Sequence, residues 1–238
     1  MAYNLKYGSV IQLPTENPYG LITHELKKFH EEDFTVSIGV RSNPDEIIKN
    51  KKEDENPESC VFGRAGMHMG LFYVPSINSY KWAYWDSEDG ETYNYKDIHS
   101  VSLDEDRFVD FEITHSKKEK CFKLYMDGEF VGENTYENLL DYSNTFIFIG
   151  VANLLENAFP HQCFWAGDIE YFSIYKKCFE NVNDMDDSEL VVSYDFEEDS
   201  TTYYSLFDIS NNGNRGRINQ DKINKQYNQL LSIYVYKF

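Results

Sequence analysis

The feature that most constrains this chain is strict alternation. Phe34 to Arg41 reads FTVSIGVR, with Phe34, Val36, Ile38 and Val40 on one side and Thr35, Ser37, Gly39 and Arg41 on the other. Successive side chains leave an extended backbone in opposite directions, so period two marks a strand with one face buried. The pattern recurs down the chain. Val61 to Val74 reads as two short strands broken around Gly66, and Tyr80 to Asp86 as an aromatic strand ended by the turn-forming run Ser87 to Gly90. Phe108 to His115 and Cys121 to Met126 follow, and then Asp127-Gly128 before the strand resumes at Glu129. An Asp-Gly pair between alternating runs predicts a hairpin, because both residues tolerate positive φ.

Phe146 to Val151 is nearly all apolar and is expected to be buried on both faces, while Phe164 to Tyr175, Leu190 to Phe196 and Leu231 to Phe238 supply further strands. Helical periodicity is scarce. Pro44 to Glu58, charged and holding two prolines, is expected to form a mobile surface loop. Glu180 to Glu189 has room for a short turn, and Ile218 to Leu230 for a helix or an extended linker. Many strands with turn signals and no long intervening helices predict an all-β fold, a sandwich or a barrel.

Charge narrows the partners. In 238 residues there are 22 Lys and Arg against 41 Asp and Glu, a net charge of −19. Such a chain is repelled by phosphate backbones and by anionic membranes, so no nucleic-acid partner is expected. No apolar run reaches the roughly 18 residues that span a bilayer, and no membrane insertion is expected. The polar first twenty residues lack a basic stretch followed by an apolar one, so no export signal is expected either. Aromatic residues make up 16% of the chain, far too many for a disordered acidic protein, so the charge rides on a folded body. Cys60, Cys121, Cys163 and Cys178 show no metal-binding spacing and are expected as reduced, partly buried thiols.

Four segments in order bear on a known family. Phe34 to Arg41 is similar to the "FTisfWvk" strand of laminin-G-like domains, with Gly39 where Trp is common. Phe108 to Gly132 resembles their central hairpin through Leu124-Tyr125-Met126-Asp127-Gly128, and Phe146 to Gly150 (FIFIG) resembles the strand that follows. Phe164 to Tyr175 resembles the "f.G.IdeV.iY" strand through Phe164, Gly167, Asp168, Ile169, Phe172, Ile174 and Tyr175. Leu190 to Gly216 resembles an element that often opens such modules; here it either pairs back with the N-terminal strand or begins a truncated second copy, and the first is favoured because few residues follow. The resemblance is to the concanavalin A-like lectin/glucanase superfamily. It implies one domain over residues 1–238, an antiparallel two-sheet jelly-roll sandwich with a charged surface loop at about 43–59.

The resemblance brings glucanase chemistry into question. Such enzymes carry an ExDxE run, which period two aims at one face; this chain has none, and Glu112 stands as a lone acid between Phe111 and Ile113. Nor is there a GxSxG elbow, an HExxH pair or a phosphate-binding loop, and the six histidines are scattered, expected at the surface or hydrogen-bonded in the core. The chain is therefore not expected to be an enzyme, and glycoside hydrolysis ranks last among its readings. Glycan binding ranks first. Sugar C–H patches stack on aromatic rings while hydroxyls need polar partners. In Tyr80 to Asp86, Trp82, Tyr84 and Asp86 share one face and Ala83 and Trp85 the other, so one face can pack inward and one can meet a ligand. The opposing expectation is that both faces are covered, since large aromatics normally serve as core. Arg64, His68 and Tyr73 on neighbouring strands are the polar companions of that candidate site.

The resemblance also implies calcium as a candidate cofactor, since several related modules carry Ca²⁺ at the sandwich rim. Six to eight oxygens are needed, and Asp208, Asn211 and Asn214, or Asp184, Asp186 and Asp187, supply candidate ligands, although such clusters equally make tight turns. The partner is then a glycan or a protein surface, with the domain part of a larger assembly at a virion or cell surface. The alternative is a structural decoration protein with no sugar site.

Overall fold

The computed structural model describes residues 2–7, 10–12, 31–51, 58–64, 69–103, 106–140, 147–151, 163–196, 201–202, 205–206, 210 and 216–219. In chain order the strands are β1 (Tyr3–Leu5), β2 (Val10–Gln12), β3 (Phe34–Ser42), β4 (Ser59–Arg64), β5 (Met69–Val74), β6 (Ser79–Ser87), β7 (Asn94–His99), β8 (Val109–Ser116), β9 (Cys121–Met126) and β10 (Glu129–Thr135). They continue with β11 (Asn138–Leu139), β12 (Ile147–Ile149), β13 (Gly167–Tyr175), β14 (Leu190–Asp195), β15 (Thr201–Thr202), β16 (Ser205–Leu206) and β17 (Gly216–Asn219). Among the described residues an α-helix, α1 (Pro44–Asn50), stands between β3 and β4.

Two antiparallel sheets form a sandwich. Sheet I runs β1-β13-β3-β8-β9-β10, with β14 also on β13; sheet II runs β11-β6-β5-β4-β12-β2-β17-β16-β15, with β7 also on β6. The alternation read from FTVSIGVR does what it predicts. Phe34, Val36, Ile38 and Val40 enter the core, where Phe111, Ile113, Phe122, Leu124, Phe172 and Ile174 join them from the neighbouring strands. Sheet II contributes Phe62, Leu71, Tyr73, Tyr80, Trp82 and Tyr84 to the same cluster. Aromatic edges and faces interlock across it, with Tyr80 at 4.7 Å from Phe111 and Tyr84 at 4.6 Å from Phe122, centroid to centroid.

The Asp127-Gly128 hairpin forms as expected, with φ of 53° and 78° at the two residues. The charged stretch after Ser42 differs from its expectation. Rather than a loop throughout, it opens as α1: the Asn43 side chain accepts from the Glu46 N–H at 3.0 Å, Pro44 occupies the first turn, and Ile47 is buried. Those are ordinary helix-start signals, an Asx cap before a proline and two acids; residues 52–57 lie outside the described set. Glu180 to Glu189 holds two single-turn 3-10 segments, Val182–Asp184 and Asp187–Glu189. Leu190 to Asp195 pairs with β13, and Gly216 to Asn219 pairs with the N-terminal β2. Leu231 to Phe238 lies outside the described residues. All four cysteines are free thiols, three of them buried and Cys178 half-buried.

Candidate functional site

The aromatic strand β6 resolves into a packing face and an outer face. Trp82 and Tyr84 point inward and are fully buried, Trp82 lying 5.9 Å from Phe62 and 5.6 Å from Phe122. Tyr84 donates to the Thr135 carbonyl at 3.3 Å. Tyr73 is buried too; its hydroxyl donates to Asn78 at 2.8 Å, and burial pushes its pKa up to about 12. Side chains without exposed surface offer none to a sugar, so these three hold the sandwich together. Asp86 is also enclosed. Its Oδ1 accepts the N–H groups of Glu137 and Asn138 at 2.9 Å each, and Lys96 reaches its Oδ2 at 2.6 Å. Burial pushes its pKa up, but Lys96 and the two N–H groups outweigh it and hold the carboxyl below its usual range. Trp85 alone of this set faces outward, half-buried, with its ring edge-on to Tyr95 at 5.7 Å. Arg64 pairs through its backbone with Met69 and Ile147, and His68 lies outside the described residues.

Of the residues proposed for calcium, Asp184, Asp186 and Asp187 lie among the described ones. Among the described residues no three His, Cys, Asp or Glu side chains gather as ligands. Asp186 caps the second 3-10 turn by accepting from the Ser188 N–H at 2.9 Å, and Asp184 accepts from Asn181 at 3.2 Å. Asp187 opens that second turn. Asp208, Asn211 and Asn214 lie outside the described residues. Of the histidines, His99 is exposed beside Asp97, and His115 is a core residue between the Glu32 carbonyl and the Tyr136 hydroxyl at 2.7 Å each. Burial lowers the His115 pKa to about 4, so it packs as a neutral ring.

The chemistry concentrates instead on the outer face of sheet I. Strand register sets a straight row of side chains across five strands: Ser193 beside Ser173, Ser173 beside Ser37, Ser37 beside Glu112, and Glu112 beside Tyr125. A second row places Tyr171 and Asp110 on either side of Gly39. Small residues make the floor and tyrosines the walls. Gly39 is required for this, since a Cβ there would stand 2.7 Å from the Tyr171 ring and 3.1 Å from the Asp110 carboxylate. The ring lies across the strand at the position where the related strand commonly carries Trp. Tyr171 donates to Asp110 at 3.0 Å and accepts from Ser37 at 3.4 Å, and Ser173 and Ser193 share a 2.8 Å hydrogen bond.

Glu112 is the centre of the floor. It is only 6% exposed although it belongs to the face away from the core, and its Oε2 has no hydrogen-bond partner. Burial, with the negative charges of Asp110 and Asp127 behind it, pushes its pKa up to about 7; the neighbouring Ser37 hydroxyl opposes the shift. Burial also raises Tyr171 and Tyr175, and nearby acids add to both. The face is thus a floor of hydroxyls and a carboxylate between tyrosines, and it is covered in this structure: Ser37, Ser173, Ser193 and Glu112 are buried, as are Tyr125 and Tyr175, while Tyr171 is half-buried. The lone acid of the sequence acquires companions through pairing. The run Asp110-Phe111-Glu112 was itself the available signal, since period two puts both acids on one face; Tyr171 and Asp127 reach them from another strand and a turn.

Comparison with known proteins follows that geometry. Residues 15–181 match the model of the Laminin_G_3 family, described as concanavalin A-like lectin/glucanases superfamily, and the chain belongs to it. No curated protein matches the chain. Among solved structures, a Bacteroides ovatus protein described as a candidate carbohydrate binding protein superposes with a TM-score of 0.54 at 12% identity, over 90% of this chain and 59% of that one. This chain therefore spans about three fifths of that protein's length. The CBM40 of the Ruminococcus gnavus IT-sialidase superposes with a TM-score of 0.52 at 14% identity, over 79% and 94% of the two chains. The same module bound to α2,3 sialyllactose gives 0.51 at 14% identity over 79% and 93%. At such identities the likeness is one of fold.

Proposed function

We propose that this Laminin_G_3 domain, with residues 1–238 acting as one sandwich, is a non-catalytic glycan-binding module whose site is the outer face of sheet I. The observation that carries the reading is the row Ser193-Ser173-Ser37-Glu112 with Tyr171 held over Gly39: a polar floor between aromatic walls, built by residues from four strands. The carbohydrate-binding modules of like fold support it. Catalysis is not part of the reading, because the sequence carries no ExDxE run and this face offers only Asp110 and Glu112 of such a set. The domain would serve attachment, as a component of a cell-surface or viral assembly.

Glycan-array binding followed by titration tests this. Tyr171→Ala is expected to weaken binding at least about tenfold, the loss of one stacking and hydrogen-bonding wall, while leaving the melting curve cooperative. Trp85→Ala is expected to leave binding unchanged. Loss on Trp85→Ala with Tyr171→Ala unaffected would move the site to sheet II, and an array without hits would sink the glycan reading.

A further inference from the structure

The residues after β13 do not leave the sandwich. Segment 176–189 runs over the outer face of sheet I and returns to β14. Thr35 donates to the Lys177 carbonyl at 2.8 Å and accepts the Phe179 N–H at 3.3 Å. Cys178 lies beside Thr114, Tyr125 donates to the Glu180 carbonyl at 3.4 Å, and Asn183 lies beside Gly128. The Lys176 N–H donates to the Glu189 carbonyl at 2.9 Å and closes the loop. Thr35, Thr114 and Tyr125 border Glu112 on two sides, and the Gly128 hairpin closes a third. The strap is held by few bonds, and Phe179 and Val182 are its buried anchors.

We propose that segment 176–189 is a proton-operated cover over the polar face of sheet I, seated while Glu112 is protonated and released as it ionises. This rests on the glycan-site reading only for what the cover regulates. Around Glu112, strand β8 contributes Asp110, the hairpin turn contributes Asp127, and β13 contributes Tyr171 and Tyr175, the latter beside Asp187 of the strap; β3 offers the Ser37 hydroxyl and β9 the Tyr125 ring. Arg107 holds Asp127 at 2.6 Å, Lys123 faces Glu133 at 4.0 Å, and Lys177 of the strap sits over the Phe179 ring at 4.9 Å. Among the described residues, an ionised Glu112 under the closed strap therefore has no ion-pair partner and no donor for Oε2. Lifting the strap hydrates it.

The sign follows from linkage. The closed form keeps its proton up to about pH 7, whereas a hydrated glutamate loses it near its ordinary value of 4.5. Opening therefore becomes more favourable as pH rises from about 4.5 to about 7, roughly tenfold per pH unit at most, and is flat above that. Full hydration would give about 300-fold over the interval; the persisting charges of Asp110 and Asp127 reduce this to about 10–100-fold.

Hydrogen exchange of the whole protein, corrected for intrinsic rates, reads it directly. Protection of the Lys176, Phe179 and Glu189 amides is expected to fall about 10–100-fold between pH 5 and pH 8, while β8 and β9 amides hold. Glu112→Gln is expected to keep the strap protected at pH 8. Tyr125→Phe, which releases the Glu180 carbonyl, should lower protection at every pH and keep the pH step. Equal protection at both pH values, or a step that survives Glu112→Gln, would overturn the proposal. Glycan affinity should rise over the same pH interval in wild type and stay flat in Glu112→Gln. Absence of glycan binding at every pH would refute the functional reading and leave the exchange step standing.

Discussion

The two sheets of this sandwich turn contrasting outer faces to their surroundings, and two buried titratable residues show the contrast. On sheet II, Lys81 is 4% exposed and fully answered: Glu58 lies at 2.5 Å, Asp97 at 3.4 Å, and the Tyr95 ring at 4.7 Å from its ammonium. Beside it, Cys60, Phe72, Ala83 and Cys163 form a small apolar cluster of their own. On sheet I, Glu112 is as deeply placed and is answered by two further acids. A buried charge with partners is a structural element; one without them remains in a fold when its tension is used. Depth alone does not separate the two cases, and the sign of the neighbours does.

Removing the answered charge should produce the larger effect. Lys81→Met strands Glu58 and Asp97 on a covered face and is expected to cost about 3 kcal/mol in urea denaturation, the low end for a broken buried pair because both acids keep some solvent. A loss below about 1 kcal/mol would erase the contrast between the faces. Glu112→Gln should act in the opposite direction and more weakly. It removes a group whose folded pKa is raised, so the native state no longer holds a proton that the unfolded chain gives up. Stability at pH 8 should rise by about 1–2 kcal/mol relative to wild type, with the difference closing towards pH 4.5. A destabilised variant at pH 8 would place Glu112 with Lys81 as a structural partner.

Much of the fold was legible because burial on one face writes itself as period two. FTVSIGVR, CFKLYM and the Asp-Gly hairpin are such cases, and β3, β9 and the β9–β10 turn fall where the pattern puts them. Helix α1 was obscured because its charged surface residues mask a single buried position, Ile47; the Asn43-Pro44 start was the readable part. On β6 periodicity separated Trp82, Tyr84 and Asp86 from Trp85, yet with aromatics on both faces it had no means to say which face was core. The acidic face was hidden for a different reason. Asp110 and Glu112 sit two apart in sequence, but Tyr171, Gly39 and Asp127 join them only through the fold, across 17 to 71 residues. The strap bonds between Thr35 and Lys177 span still more, 142 residues.

The central claim is that Glu112 sits protonated at an acidic, strap-covered floor. Carbon-13 NMR titration of the glutamate side-chain carboxyls, with the Glu112 resonance assigned through Glu112→Gln, tests this most directly. The account predicts a midpoint near pH 7 for that resonance, while exposed glutamates titrate near 4.5. A Glu112 midpoint among the exposed glutamates would contradict it.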